Sequence, residues 1–137
     1  MPAALTALLR AAQRATADDG ALREVADRTL RGLQERHGRY QPGWPHLAAS
    51  TLAQKGSDTP RLATGAHSIG SYRTSVGGKE ASVGTNDPIE LFQEHGTFRS
   101  GHPAIPPRPI FPHEVRAAAT YAPQTFARVL RRFLAAL

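Results

Sequence analysis

The sequence predicts an α+β fold: a small, mainly antiparallel β-sheet from the middle of the chain, flanked by N-terminal and C-terminal α-helices packed on it. Three observations predict it. Apolar residues recur at helical spacing before residue 38 and again after residue 111, the stretch between them is rich in glycine and proline, and two short β-type runs in that stretch flank Gly77-Gly78. At 137 residues the chain is expected to form a single domain, 1–137, with helices over 1–37, sheet and loops over 38–111, and helices over 112–137.

In the first segment Leu5, Leu8, Leu9 and Ala12 lie three and four residues apart, as do Leu22, Val25, Thr29, Leu30 and Leu33. That spacing lines up one face of a helix. Thr16-Ala17-Asp18-Asp19-Gly20 interrupts the repeat. The interruption predicts two helices, or one with a weak point at Gly20, with Asp18 or Asp19 as the cap of the second. Gly38 stands where a glycine ends a helix. The first half of the stripe is narrow and rich in alanine, which suits packing against another chain as much as against its own core.

In the middle segment Pro42-Gly43-Trp44-Pro45 is a turn carrying the single tryptophan. A short helix is expected over Ala48–Lys55, with Ser50 and Thr51 near its start. Strands are expected over Ile69–Val76 and Glu80–Gly84, joined at Gly77-Gly78 as a hairpin. A helical turn is expected over Pro88–His95, an exposed loop over Phe98–Pro107, and an edge strand at Pro109-Ile110-Phe111. Gly65 and Gly84 are expected to permit backbone bends at strand ends. In the third segment Phe126, Val129, Leu130, Phe133, Leu134 and Leu137 form a strong apolar stripe, with Arg128, Arg131 and Arg132 on or beside the opposite face. Pro123 is expected in the first turn of that last helix, where its missing N–H costs little.

Composition narrows the chemistry. The chain has no cysteine, which removes disulfides and thiolate metal sites and suits a reducing cytoplasm. No run approaches the roughly 20 apolar residues that span a bilayer, and the opening Met1-Pro2-Ala3-Ala4-Leu5 is not an export signal. The net charge is +6, and Lys55 and Lys79 are the only lysines, so the positive charge is arginine. That balance fits nucleic acid, an acidic protein surface or a solvated helix face. The histidines form no His-Glu-x-x-His pair; Glu94, His95 and His102 are the nearest approach to a metal set, but the glycines between them fix no geometry. Glu90 and Glu94 are spaced to share a helix face, as an acid/base pair would need, although a solvated charged turn is the simpler reading. Ser68 and Ser71 lack the nucleophile elbow, and Gly77-Gly78-Lys79 is a hairpin tip with no Walker loop around it.

An ordered set of anchors remains. Pro42-Gly43-x-Pro45 holds Trp44, followed by Leu47, Thr51 and Lys55; then come Leu62-x-Thr64-Gly65, Val83-Gly84-Thr85, Phe92-Gln93-Glu94-His95-Gly96-Thr97 and Ile105-Pro106-Pro107-Arg108-Pro109-Ile110-Phe111. In order and spacing this set resembles the phage virion morphogenesis family, the Mu-like tail-completion and neck proteins of tailed phages. The resemblance covers about residues 30–112, and Ile105 to Phe111 is its most specific part. Two positions depart from the pattern: His67 stands where the family usually has leucine, and Ile110 intervenes before Phe111.

The resemblance implies a non-enzymatic structural protein at the head–tail junction, assembled into the virion in the host cytoplasm and needing no cofactor. Its implied partners are the connector and the tail terminator or tube; the alanine-rich first helix and the long Phe98–Pro107 loop add the expectation of further copies of itself in a ring, most simply of six, around passing DNA. No membrane partner is implied. Structural or interface roles fall to Trp44, Thr64, Gly65, Gly84, Glu94, Gly96, Phe98, Arg108, Phe111, Arg128, Arg131 and Arg132. On physical grounds Trp44 pins the helix-to-sheet connection. The stiff Pro106-Pro107-Arg108-Pro109 run would hold the Arg108 fork toward a carboxylate of its own chain, such as Glu94, or of a neighbour. The rival readings are a basic nucleic-acid-binding protein working through its arginine-bearing helices, and a metal-dependent hydrolase built on Glu94, His95 and His102.

Overall fold

The computed structural model describes residues 2–37, 39, 41–56 and 69–136. The expected Leu62-x-Thr64-Gly65 motif and the Gly38 stop lie outside the described residues. The element order is α1 (Pro2–Ala17), α2 (Gly20–Arg36), α3 (Ala49–Lys55), a 3-10 turn (Ile69–Ser71), β1 (Arg73–Gly77), β2 (Glu80–Gly84), α4 (Pro88–His95), β3 (Thr97–Arg99), β4 (His102–Ile105) and α5 (Phe111–Ala135). The α+β class holds, with two separate antiparallel hairpins, β1–β2 and β3–β4, in place of one sheet.

The break between α1 and α2 falls at Asp18-Asp19. Asp18 Oδ1 accepts the backbone N–H of Gly20 at 2.8 Å, and Asp19, at the N-cap position itself, makes no side-chain cap. The β1–β2 pair turns on Gly78-Lys79, both at positive φ (59° and 66°), with Gly77 opposite Glu80. Two consecutive left-handed residues give the tight turn whose twist matches paired strands. The first expected strand starts later than its β-type run: Ile69–Ser71 coil into the 3-10 turn, and Arg73 Nη1 ties down the carbonyls of Gly70 (2.6 Å) and Tyr72 (2.8 Å).

Three further expectations are corrected. The segment taken as a loop from Phe98 to Pro107 contains the β3–β4 hairpin, turned through Ser100 (φ 50°) and Gly101 (φ 77°). Pro109-Ile110-Phe111 is no edge strand, because Ile110 is the N-cap of α5 and Phe111 its first residue. Pro123 lies inside α5, not at the start of a second helix. The helix runs through it because Pro123 and Ala119 lie on the exposed side, where the carbonyl that proline leaves unpaired meets water.

Helix α2 is central, packing on α5 and on both strands of the β1–β2 hairpin, while α1 lies along α5. Gly32 of α2 leaves room for the Glu114 carboxylate of α5, which a Cβ at that position would meet. The core is Leu33, Trp44, Tyr72 and Ile110, with Leu30, Val83 and Phe111 packed around it. Among the described residues no helix is long and apolar enough to cross a membrane.

Candidate functional site

The core is framed by short polar ties that reach across long sequence separations. In the turn preceding it, Pro42 and Gly43 (φ 87°) bring the Trp44 N–H back to Gln41 O at 3.1 Å, the arrangement that needs glycine third in a turn. This turns the indole inward, where it is 4% exposed and its Nε1–H donates to Pro109 O at 3.2 Å. Trp44 thus fastens the end of α2 to the strand-like run before α5, as its single-tryptophan turn predicts.

Helix α4 supplies two anchoring carboxylates, one buried and one partly buried. It starts cleanly: Asp87 Oδ1 accepts Ile89 N–H at 2.9 Å, and Thr85 Oγ1 accepts Asp87 N–H (3.0 Å) while donating to Ser71 Oγ (2.7 Å). One turn in, Glu90 is buried at 2% exposure. Its Oε2 accepts from Tyr72 Oη at 2.8 Å and sits 3.0 Å from His37 Nε2. The other ring nitrogen, Nδ1, lies 2.8 Å from Leu33 O, which only accepts, so Nδ1 carries a hydrogen. The His37 and Tyr72 rings meet edge to face at 5.3 Å, and Tyr72 leans on Phe111 at 5.8 Å. Glu90 is therefore no part of a solvated charged turn.

Four residues on, Glu94 faces the same way and takes the start of α5. Its oxygens accept the N–H groups of Ile110 (3.0 Å from each) and Phe111 (2.8 Å to Oε1). A carboxylate at a helix N-terminus meets unpaired amides and the positive end of the dipole. This explains why Ile110 and Phe111 turn into a helix. Arg108 turns inward, which goes against the reading that offers it to a neighbour. It is buried at 5% exposure, and its guanidinium donates inward to Pro45 O (3.2 Å) and His46 O (3.5 Å), while its own N–H donates to Gln93 O at 2.7 Å. It braces the Trp44 turn and projects no fork to the surface.

Gly96 closes the frame. Its φ of 76° is left-handed, and an added Cβ would stand 2.6 Å from Ile105 O and 3.0 Å from Pro107. Gly84, by contrast, has no left-handed φ and nothing within 4 Å of an added Cβ, so no bend requires glycine there. Beside the frame Thr85, Leu91, His95, Phe111 and Pro112 line a cleft of about 350 Å³ that reaches Glu90 and Glu94, both already held as described.

A second buried carboxylate lies between α2 and α5. Glu114 is 4% exposed, accepts from Tyr121 Oη at 2.9 Å and pairs with Arg36 Nε at 3.3 Å. Tyr121 Oη also lies 2.7 Å from Thr29 Oγ1, with the Arg28 guanidinium 4.2 Å from its ring centre. Burial raises the Tyr121 pKa above 10.0; the Thr29 contact works against that, and Glu114 adds to it.

The structure brings together Trp44, Glu94, Gly96, Arg108 and Phe111. It sets Phe98 apart, 73% exposed on β3. Arg128, Arg131 and Arg132 lie exposed on α5, with Arg128 paired to Glu24 of α2. Thr64 and Gly65 fall outside the described residues. Among the described residues no three histidine, aspartate or glutamate side chains converge as metal ligands. Comparison with protein-family models, curated proteins and solved structures gave no match. Sequence reading passed over His37, Tyr72 and Glu114. The available signal for His37 was its position one helical turn after Leu33, on the same face; nothing local marks the other two.

Proposed function

We propose that this chain is a structural subunit of the head–tail junction of a tailed phage, a neck or tail-completion protein that assembles as a ring, most simply of six copies. One observation carries the reading: the motif residues lock the subunit's interior while large apolar side chains stay outside. The motif positions that resemble the family, Trp44, Glu94, Gly96 and Arg108 to Phe111, build a rigid frame from mutual hydrogen bonds. Meanwhile Leu5, Leu8 and Leu9 on α1, Phe98 on β3, and Phe126 and Leu130 on α5 remain exposed. Apolar surface of this extent beside a well-tied core suits a subunit completed by its neighbours. The buried carboxylates Glu90 and Glu114 and the partly buried Glu94 are engaged in holding helices, which favours a structural role over acid–base chemistry.

Sedimentation equilibrium of the purified protein, with localisation in particles by electron microscopy, tests the reading. A ring-sized species and density at the neck are expected; a monomer at all concentrations, with no neck density, overturns it. The exposed Arg131 and Arg132 support a second contact, with DNA passing through the ring. If six phosphates were neutralised around the ring, affinity would fall by about 10³ between 50 and 200 mM salt. Absent binding at low salt removes that contact and leaves the ring intact.

A further inference from the structure

The exposed β3–β4 hairpin ends in an aromatic and a cationic side chain, and a groove on the helical side of the molecule offers an apolar lining with a carboxylate at its edge. The hairpin is short and stiff: its turn residues Ser100 and Gly101 both hold left-handed φ, and Phe98 and Arg99 stand exposed at its end. Successive strand residues point to opposite faces, so the tip carries an aromatic ring on one side and a guanidinium on the other. Among the described helices and strands, the extensive pairing of this hairpin is with itself.

The groove lies between α1, α2 and α5, with a volume of about 390 Å³. Its lining is mostly apolar, from Ala12 of α1, Leu22 of α2 and Phe126, Val129 and Leu130 of α5. Two charged residues also line it, Asp18 at the α1–α2 junction and Lys79 of the β1–β2 tip. Phe126 and Leu130 are 44% and 39% exposed, so the groove stands open in its own subunit. A tip entering this groove can set Phe98 against the apolar lining from α5 and Arg99 beside the Asp18 carboxylate.

We propose that the Phe98–Arg99 tip of one subunit inserts into the α1–α2–α5 groove of a second copy. The two surfaces differ, so the contact is head-to-tail and propagates from copy to copy, closing where the rotation per step divides a full turn. The inference rests on the ring reading above and names the contact that builds the ring.

Because the chain has no cysteine, single-cysteine variants report this contact without background. Phe98→Cys and Leu130→Cys replace exposed side chains, and unchanged unfolding transitions serve as the control for folding. With a short bis-maleimide, a mixture of the two variants is expected to give a cross-linked dimer at least tenfold more abundant than either alone. The double variant is expected to give a ladder. Cross-linking of Phe98→Cys alone, as strong as in the mixture, would mean a symmetric tip-to-tip contact and overturn the proposal. A ring-sized species in sedimentation with no cross-link in the mixture overturns this contact and leaves the ring standing. Monomers in sedimentation with no cross-link overturn both.

Discussion

The two ends of this molecule are finished to different degrees. Around α4 and the start of α5, polar groups are buried or partly buried and tied: Glu90 to His37 and Tyr72, Glu94 to two amides of α5, Arg108 to the carbonyls of the Trp44 turn. Along α1 and the far half of α5, large apolar side chains stand exposed among the arginines, with Leu5, Leu8 and Leu9 each at least half exposed. Buried polar ties specify one arrangement strongly and tolerate little, since an orphaned partner keeps its desolvation cost. An open apolar stripe does the reverse, contributing little to the lone subunit and much to a complex that covers it. The contrast separates residues that make the fold from residues that use it.

The largest effect is expected where the tied end is broken at its centre. Glu90→Ala leaves His37 and Tyr72 buried without their shared acceptor, and should lower unfolding free energy by about 3–5 kcal/mol, the range for removing one partner of a buried pair. Guanidinium denaturation measures it, and a loss below about 1 kcal/mol would show that the trio is not structurally coupled. Gly96→Ala comes next, at about 1–3 kcal/mol, because the left-handed φ and the nearby Ile105 carbonyl both resist a methyl group. Gly84→Ala is its control: with nothing near an added Cβ, the change should stay within about 0.5 kcal/mol.

A smaller effect, with a pH signature, is expected between α2 and α5. Tyr121→Phe removes the hydroxyl shared by Glu114 and Thr29 and should cost about 1 kcal/mol at neutral pH. Burial raises the folded pKa of Tyr121 above 10.0, so the unfolded chain loses that proton first as pH rises. The associated stability is complete below pH 10 and declines as pH climbs toward the raised folded value. Unfolding curves from pH 8 to 11 should show the wild type falling more steeply than Tyr121→Phe; parallel limbs would remove Tyr121 as the cause.

The sequence made the periodic elements legible and the tertiary ties illegible. The helical stripes announce α2 and α5 because packing on one face demands that spacing, and Gly77-Gly78 announces β1–β2 because only a left-handed turn joins so short a pair. The β3–β4 hairpin escaped: its strands of three and four residues are too short to alternate, and Pro103 argues against a strand. Pro123 misled because the first turn is where proline costs a helix least, yet here it stands in the interior of α5. The buried carboxylates were hidden for a different reason. Glu90 lies 18 residues from Tyr72 and 53 from His37, and Glu114 lies 78 from Arg36, so no local pattern marks them as anything but charged surface. The Trp44 and Pro106–Phe111 motifs were legible as anchors, although Arg108 proved an internal brace and not an outward fork.

The smallest effect on the lone subunit, and the sharpest test of the contrast, belongs to α1. Gln matches leucine closely in helix propensity, so Leu5→Gln, Leu8→Gln and Leu9→Gln combined leave the helix intrinsically as stable as before. These side chains are 59%, 50% and 55% exposed, so each change should shift unfolding free energy by no more than about 0.5 kcal/mol. Association should respond quite differently. If neighbours cover this stripe, each lost leucine withdraws apolar area from the interface, and the triple variant should sediment as a monomer at concentrations where the wild type is assembled. A variant that both unfolds early and stays monomeric would show that α1 is part of the core. A variant of normal stability that still assembles would move the interface off α1 and leave the groove between α1, α2 and α5 to carry it alone.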